Sequence, residues 1–217
     1  FMIHLSRGRQ AARQLLGGFT GVLGSDRGGP YSVHQGLRQL CWAHLLRTFV
    51  GFSELSGKAG RIGDLLVDRT RLMFKWWHKV RDGTLKRKVF ARRMLRLRIQ
   101  IEDLLIEGEL HGHPKMSGVC KRIIKQAVHL WTFIEHAGVE PTNNFAERLL
   151  RQGVLWRKIS FGTQSGEGSR FVERILTAAA TCRLQGRNIV EYLNAACLAQ
   201  LHGRPSPSLL PPPTQTA

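Results

Sequence analysis

The chain has 217 residues, with 33 lysines and arginines against 15 aspartates and glutamates, and a formal net charge of +18. This length suits one domain, or one domain with a large insertion. A hydrophobic fraction of 42% is too high for a disordered chain. The charge excludes an ordinary neutral metabolic enzyme as the default and favours a polyanionic partner, with nucleic acid first and a membrane surface second.

The first fifty residues alternate between strand-like and helix-like patterns. Residues 1–5 form an apolar run that predicts a strand, and residues 9–16 predict a helix that two glycines end. Residues 19–25 predict a second strand, and residues 37–43 a third strand that leads directly into a helix. Strands and helices in this order indicate an α/β fold.

The middle of the chain has a different pattern. Between about residues 57 and 138 there is no strand signal, and no apolar run there or elsewhere is long enough for a transmembrane helix. The apolar spacing predicts long helices over residues 65–80, 85–105 and 119–136. We therefore expect an all-helical insertion within an α/β domain, and no membrane partner.

The last third of the chain is predicted to be helical up to a Pro-rich end. In chain order we expect a helix from about Asn144, an extended or irregular stretch over residues 156–161, a loop over 162–168, and helices over 169–184 and 188–200. These patterns divide the chain into a partial core (1–52), a helical insertion (53–139), C-terminal core helices (140–201) and a disordered Pro-rich tail (202–217).

Basic residues are concentrated in the middle of the chain. Residues 69–98 contain twelve lysines and arginines and one acid, Asp82, so this segment carries a charge of +11. Such a surface suits the binding of phosphates with release of counterions. Aromatic residues interleave with the charges: Phe74, Trp76, Trp77 and Phe90. The alternative is an ordinary solvated helix surface whose aromatic residues belong to the core.

Two acids are candidates for a metal site. Asp26 follows an apolar strand, where active-site residues of open α/β sheets lie, although this feature alone favours a turn aspartate before two glycines. Glu147 lies among several arginines, where a lone carboxylate can hold a divalent cation beside a phosphate. Its structural alternatives are a helix cap with Asn144 and a helical ion pair with Arg151.

Three blocks of sequence, taken together and in order, resemble the insertion-sequence sixty-six family of DDE transposases. They are residues 21–26 (Gly-Val-Leu-Gly-Ser-Asp) with Tyr31 after them, residues 41–47 (Cys-Trp-Ala-His-Leu-Leu-Arg) followed by Phe49, and residues 142–148 (Thr-Asn-Asn-Phe-Ala-Glu-Arg) with Arg151 and then residues 157–162 (Arg-Lys-Ile-Ser-Phe-Gly). The resemblance implies a ribonuclease-H-like α/β core, here incomplete and interrupted by the helical insertion, so that the whole chain is mostly α by content.

The resemblance also implies a catalytic site. By position, Asp26 corresponds to the second and Glu147 to the third of three carboxylates that bind two divalent ions, normally Mg²⁺. The residues expected to bind DNA are Lys86, Arg87, Lys88, Arg92, Arg93, Arg148, Arg151, Arg157 and Lys158, and those expected to support the site are His44, Arg47, Asn143 and Asn144.

The chain departs from the family pattern at the first carboxylate, because no aspartate precedes Asp26. Residue 142 is a threonine where many relatives have aspartate, which we interpret as a tolerated variant. Because Phe1 is not an initiator methionine, we expect the chain to begin inside a longer protein. The isolated chain is accordingly expected to cleave and transfer strands at element ends poorly.

The alternative function is that of a non-enzymatic, basic nucleic-acid-binding remnant or module. The resemblance further implies DNA as the partner, a homodimer or synaptic oligomer, and a place in the bacterial cytoplasm near the nucleoid.

Overall fold

The computed structural model describes residues 1–111 and 113–210, most of which are helical. Contacts between residues divide the chain into two compact units. One unit consists of residues 7–144, and the other of residues 1–6 together with the chain from residue 145 onward. The prediction that the chain is mostly α by content is confirmed.

The unit of residues 7–144 contains two short strands and six helices among its described residues. In chain order these are α1 (Arg9–Leu16), β1 (Leu23–Ser25), β2 (Arg38–Leu40), α2 (Trp42–Ser53), α3 (Gly57–Arg81), α4 (Arg87–His111), α5 (Pro114–Ile124) and α6 (Thr132–Glu135). Short 3₁₀ turns over Gly29–Val33 and Ala127–His129 lie between them.

Strands β1 and β2 pair in parallel, in a register that runs from Leu23 opposite Arg38 to Ser25 opposite Leu40. All three residues of β2 are buried, as is usual for a strand covered on both faces. Both strands are shorter than the predicted ranges 19–25 and 37–43.

Local contacts explain why these strands are short. The ring of Phe19 stacks on that of His34 at 5.7 Å between centroids, and His34 Nε2 lies 3.0 Å from the carbonyl oxygen of Gly21. These contacts hold residues 19–22 in a loop instead of a strand. At the other end, Cys41 already occupies the N-cap position of α2, so β2 stops at Leu40.

The core of this unit lies between β2 and helices α2 to α6. Helices α3 and α4 form an antiparallel hairpin whose turn is closed by Asp82, since its Oδ1 accepts hydrogen bonds from the backbone N (2.9 Å) and Oγ1 (2.6 Å) of Thr84. The rings of Trp77 in α3, Phe90 in α4 and Phe133 in α6 pack together, with centroids 5.3 to 6.0 Å apart. Burying three aromatic side chains in one cluster stabilises the unit substantially.

The predicted helix over residues 119–136 is interrupted, because a buried glutamine needs free backbone groups there. Gln39 Nε2 donates to the carbonyl oxygen of Leu130 at 3.0 Å, and Gln39 Oε1 accepts from the backbone N of Phe133 at 2.8 Å. A continuous helix would use these backbone groups internally. The segment therefore folds as α5, a 3₁₀ turn and α6.

The helical region begins and ends at the same place in the fold. The backbone N of Trp42, at the start of α2, donates to the carbonyl oxygen of Pro141 at 2.9 Å. Ninety-nine residues separate these two positions in the sequence. The chain thus leaves along α2, passes through α3 to α6, and returns to its starting point.

The second unit contains the last three helices: α7 (Asn144–Ser160), α8 (Gly166–Leu184) and α9 (Ile189–Leu201). The predicted start of α7 at Asn144 is confirmed. Residues 156–160 are helical, so the prediction of an irregular stretch there was wrong, and the helix ends before Phe161, whose φ is +60°. The side chains of Ser165 and Asn188 cap α8 and α9. Helix α8 begins at Gly166, so the predicted loop over residues 162–168 was wrong for its last three residues.

Residues 1–3 and residues 208–209 form hydrogen bonds to α8 and to the turn between α8 and α9 in this unit. Residues 1–5 do not form the predicted strand, because the backbone N of Ile3 donates to the Glu173 side chain rather than to a neighbouring strand. In the predicted tail, the carbonyl oxygens of Ser208 and Leu209 accept hydrogen bonds from the side chains of Arg187 and Gln185. The rest of that tail, residues 211–217, lies outside the described residues, and its disorder stays a prediction.

Candidate functional site

Asp26 lies directly after β1, at the end of the strand pair that the sequence associates with active-site residues. Its Oδ1 accepts a hydrogen bond from the backbone N of Gly28 at 2.9 Å, which forms a tight turn. The carboxyl group is half-buried, and among the described residues no other hydrogen bond to it is found. Burial, and secondarily the Asp26 charge, raise the pKa of Tyr31. Asp26 thus combines a turn-forming oxygen with a second carboxylate oxygen that can take another ligand.

Two guanidinium groups create a positive field near Asp26. Arg27 Nη2 donates to Thr48 Oγ1 of α2 at 3.1 Å. Burial, and secondly the positive charge of Arg122, lower the pKa of Arg27, whereas the negative charge of Asp26 raises it. Burial likewise lowers the pKa of Arg38, which Asp26 again opposes. Arg38 is 7% exposed, and its buried Nε has no hydrogen-bond partner among the described residues. Partly desolvated cations beside a single carboxylate favour an additional anion, such as a phosphate.

The first two sequence blocks and the residue that precedes the third block meet at the start of α2. The backbone N of Cys41 donates to the carbonyl oxygen of Ser25 at 2.8 Å, which brings the end of β1, and Asp26 after it, to this helix. The hydrogen bond from Trp42 to Pro141 brings the residue before the third block to the same point. Segments that lie more than one hundred residues apart in sequence are therefore neighbours in the fold.

The predicted support residues belong to these converging segments. His44 is half-buried in the first turn of α2, and Arg47 is exposed one turn later. The buried Oδ1 of Asn143 accepts no hydrogen bond from the described residues. Asn144 is exposed and begins α7. A buried amide oxygen without a hydrogen-bond donor lowers stability unless a ligand binds to it. Asn143 therefore marks a position where a cation or a hydrogen-bond donor fits.

Glu147 lies in the first turn of α7 and is half-buried. Four basic side chains of the same helix are exposed: Arg148, Arg151, Arg157 and Lys158. Asp26 and Glu147 belong to different compact units. Their pairing at one metal site therefore stays a prediction.

The remaining predicted DNA-binding residues lie at the turn and along the start of α4. Lys86, Lys88 and Arg92 are exposed. Arg93 is exposed and lies 5.6 Å from the ring centroid of Trp76 in α3. Arg87 differs, because its guanidinium is half-buried and donates to backbone carbonyl oxygens at the end of α6.

Sequence reasoning missed the two cations near Asp26. Arg38 interrupts an otherwise largely apolar run, and a charged residue within a buried strand is a signal of a paired or functional group. Arg27 follows Asp26 directly, and its position in the sequence predicts a side chain exposed in a turn. Only the contact with Thr48 of α2 reveals that it points inward.

Comparison with known proteins identifies the family. The sequence profile described as "Transposase IS66 family" matches residues 1–170. The chain belongs to the Transposase IS66 family. The predicted resemblance is thereby confirmed, and it assigns the chain to a family of proteins that act in transposition.

One similar protein is the uncharacterized protein y4qI of Sinorhizobium fredii (strain NBRC 101917 / NGR234), which is 24% identical over 222 residues. The alignment covers 92% of this chain but 40% of that protein, so the IS66-family chain spans less than half of this relative's length. No solved structure matches the chain significantly. None of the helices within residues 1–111 and 113–210 is long and apolar enough to cross a membrane.

Proposed function

We propose that this chain is the catalytic portion of a DNA transposase, with a ribonuclease-H-like core that cleaves and joins phosphodiester bonds at element ends. The observation that carries the proposal is that the first two family blocks and the residue before the third meet at the start of α2, through the hydrogen bonds from Cys41 to Ser25 (2.8 Å) and from Trp42 to Pro141 (2.9 Å). Motifs of a shared catalytic site have to meet in space, whereas unrelated motifs have no reason to do so.

The donor atoms in these segments fit Mg²⁺, which prefers carboxylate and amide oxygens. Asp26 and Glu147 would hold the metal ions, and the unsatisfied Oδ1 of Asn143 supplies a further oxygen of the required type. Two bound divalent ions would activate the attacking hydroxyl group and stabilise charge on the leaving oxygen of the phosphodiester.

The cations of the chain would act on the DNA phosphates. Arg27 and Arg38 are held in place, since one is bonded to Thr48 and the other is buried in β2. Their field opposes the repulsion between the Asp26 carboxylate and a phosphate that approaches it. On α7, Arg148 and Arg151 lie within one turn of Glu147 and would bind the adjacent phosphates.

Metal binding provides the test of the shared site. We expect the full chain to bind Mn²⁺, used as a spectroscopic substitute for Mg²⁺, and Mg²⁺ to compete with it. Asp26→Asn and Glu147→Gln should each weaken Mn²⁺ binding at least tenfold, as measured by electron paramagnetic resonance. Asp64→Asn is the matched control, because Asp64 is an exposed acid on α3.

The result for the two acids decides between the candidate functions. A loss of binding in both variants supports one site that both carboxylates share. If neither variant differs from Asp64→Asn, the metal-dependent enzyme is refuted and the non-enzymatic DNA-binding module takes its place. For the active transposase we further propose DNA as substrate, a dimeric or synaptic assembly, and action at the bacterial nucleoid.

A further inference from the structure

The tip of the α3–α4 hairpin carries an unbalanced positive charge. Between residues 75 and 96 the sequence contains nine lysines and arginines and one acid, Asp82. Two of the nine contribute to the fold: Arg81 lies 3.7 Å from Glu140, and Arg87 binds the end of α6. Most of the others are exposed and form no ion pair with any described residue. Within residues 75–96, Asp82 is the one acid that offsets part of this charge.

Several of these cations lie on one side of the hairpin. Arg93 of α4 stacks on Trp76 of α3 at 5.6 Å, so these two residues define a common side of the two helices. Lys79 is three residues from Trp76, and Arg96 is three residues from Arg93, a spacing that places side chains on the same helix face.

Arg92 lies four residues before Arg96 and extends this row. We call the set Lys79, Arg92, Arg93 and Arg96 the basic hairpin face.

The aromatic residues of this segment belong to the core and not to the basic hairpin face. Trp77 is 5% exposed and Phe90 is completely buried. Phe74 and Trp76 are half-buried and pack against the same core. Within residues 69–98, all of which the structure describes, the imidazole of His78 is exposed, but no phenylalanine or tryptophan ring is exposed for a nucleotide base to stack on. Proteins that bind single strands without sequence preference depend on such rings.

We infer that the basic hairpin face binds the phosphate backbone of double-stranded DNA, without reading its sequence. Charge without aromatic platforms favours the duplex, in which the bases are stacked and the phosphates are accessible. The inference rests on the proposed function in taking DNA as partner, but it concerns a surface on the helical region and needs no metal ion.

The test compares two triple variants of the full chain that lose the same charge. The first, K79Q/R92Q/R96Q, removes cations of the basic hairpin face, and the second, R9Q/R13Q/R61Q, removes exposed cations of α1 and of the start of α3. Binding to a random-sequence duplex is measured by fluorescence anisotropy in EDTA over a series of salt concentrations. Thermal unfolding of both variants verifies that each is folded.

We expect the first variant to bind duplex DNA roughly tenfold or more weakly than the unchanged chain. Its slope of log affinity against log salt should be smaller by about 2.7, since each lost phosphate contact contributes about 0.9. Equal losses in the two variants would show a mere effect of net charge and overturn the inference. Tighter binding of oligo-dT than of duplex would also overturn it. Because EDTA removes metal ions, the outcome is independent of the Mn²⁺ test.

Discussion

Arg87 was expected to bind DNA, but in the structure its side chain contributes to the fold. Its Nη2 donates to the carbonyl oxygens of Phe133 (2.5 Å), Ile134 (3.3 Å) and His136 (2.6 Å), and its guanidinium lies 5.7 Å from the ring centroid of Trp77. A cation at the end of a helix satisfies carbonyl oxygens that lack partners within the helix. Arg87 therefore fastens α6 to the start of α4.

We predict that Arg87→Gln lowers the free energy of unfolding by about 2 kcal/mol, because hydrogen bonds from a charged donor to half-buried carbonyl groups are lost. Lys88→Gln is the control, since Lys88 is its exposed neighbour and should change stability by less than about 0.5 kcal/mol. Urea denaturation of the two variants measures both values. Equal stability of the two would refute the fastening role.

The cysteines should differ sharply in reactivity. Cys197 is exposed, and the other three are buried. Burial, with a smaller contribution from Glu109, raises the pKa of the Cys120 thiol to about 11, although Arg27 opposes this. Cys120 thus stays protonated at neutral and mildly alkaline pH, and a protonated thiol is a poor nucleophile.

We predict that iodoacetamide at pH 8 modifies Cys197 first in the folded protein and leaves Cys120 unmodified. Peptide mass spectrometry identifies the modified residue, and labelling in urea provides the reference for full reaction. Cys197→Ser should remove the fast-reacting thiol. If Cys120 reacted at the rate of Cys197 without urea, its predicted burial would be disproved.

Single residues were predictable where their role is local. Asn188 caps α9, and Asp26 follows a strand, as its neighbours in the sequence indicate. Arg38 was missed because its partners come from distant parts of the chain. Its backbone carbonyl oxygen, for example, accepts from Thr132 Oγ1 at 2.5 Å, across 94 residues. No local pattern contains that information.

Helices α2 and α3 approach each other more closely than side chains would allow. A Cβ atom on Gly63 would overlap the backbone of Phe52 and Ser53, and one on Gly60 would overlap the carbonyl group of Leu55. Backbone atoms cannot move aside as a flexible side chain can. Glycine at these two positions is therefore a packing requirement of the helix pair.

We predict that Gly63→Ala destabilises the protein by about 2 kcal/mol or more, because overpacking against a fixed backbone outweighs the better helix propensity of alanine. Gly51→Ala is the control. Gly51 is exposed in α2 with no atom near its would-be Cβ, so alanine should stabilise the helix by about 0.5–1 kcal/mol. Thermal unfolding measures both changes, and a stabilising Gly63→Ala would contradict the packing argument.

Among the secondary-structure elements, periodicity predicted those that depend on their own sequence. Helix α1 has the predicted bounds. The hairpin helices were predicted at the right place, but α3 begins eight residues earlier and α4 ends six residues later than the apolar spacing predicts. The break within residues 119–136 was not predictable, since it depends on Gln39, ninety residues earlier. The predicted strand over residues 1–5 failed for a similar reason, because a strand requires a partner that its own sequence does not specify.

For the whole molecule, the order of the three blocks predicted the family, which the match over residues 1–170 confirms. The contact between the blocks could be anticipated from the resemblance but not from composition or charge. The domain boundaries at residues 52, 139 and 201 stay predictions. The ribonuclease-H-like core is also a prediction, because the described sheet has two strands of three residues each.

We predict that this chain, supplied with Mg²⁺ and a labelled duplex that carries an element end, joins few strands. The reason is that the sequence holds no aspartate before Asp26 that could serve as a first carboxylate. Product analysis on denaturing gels measures joining, and Asp26→Asn gives the background rate. Efficient joining by this chain would show that two carboxylates suffice.

The hydrogen bond between Trp42 and Pro141 has a consequence for how the family can evolve. The helical segment from α2 to α6 begins and ends at this hydrogen bond. Adding or removing helical turns at its far end would therefore change its length without moving the residues on either side of it. Length differences among related proteins should therefore accumulate around the bend at Asp82.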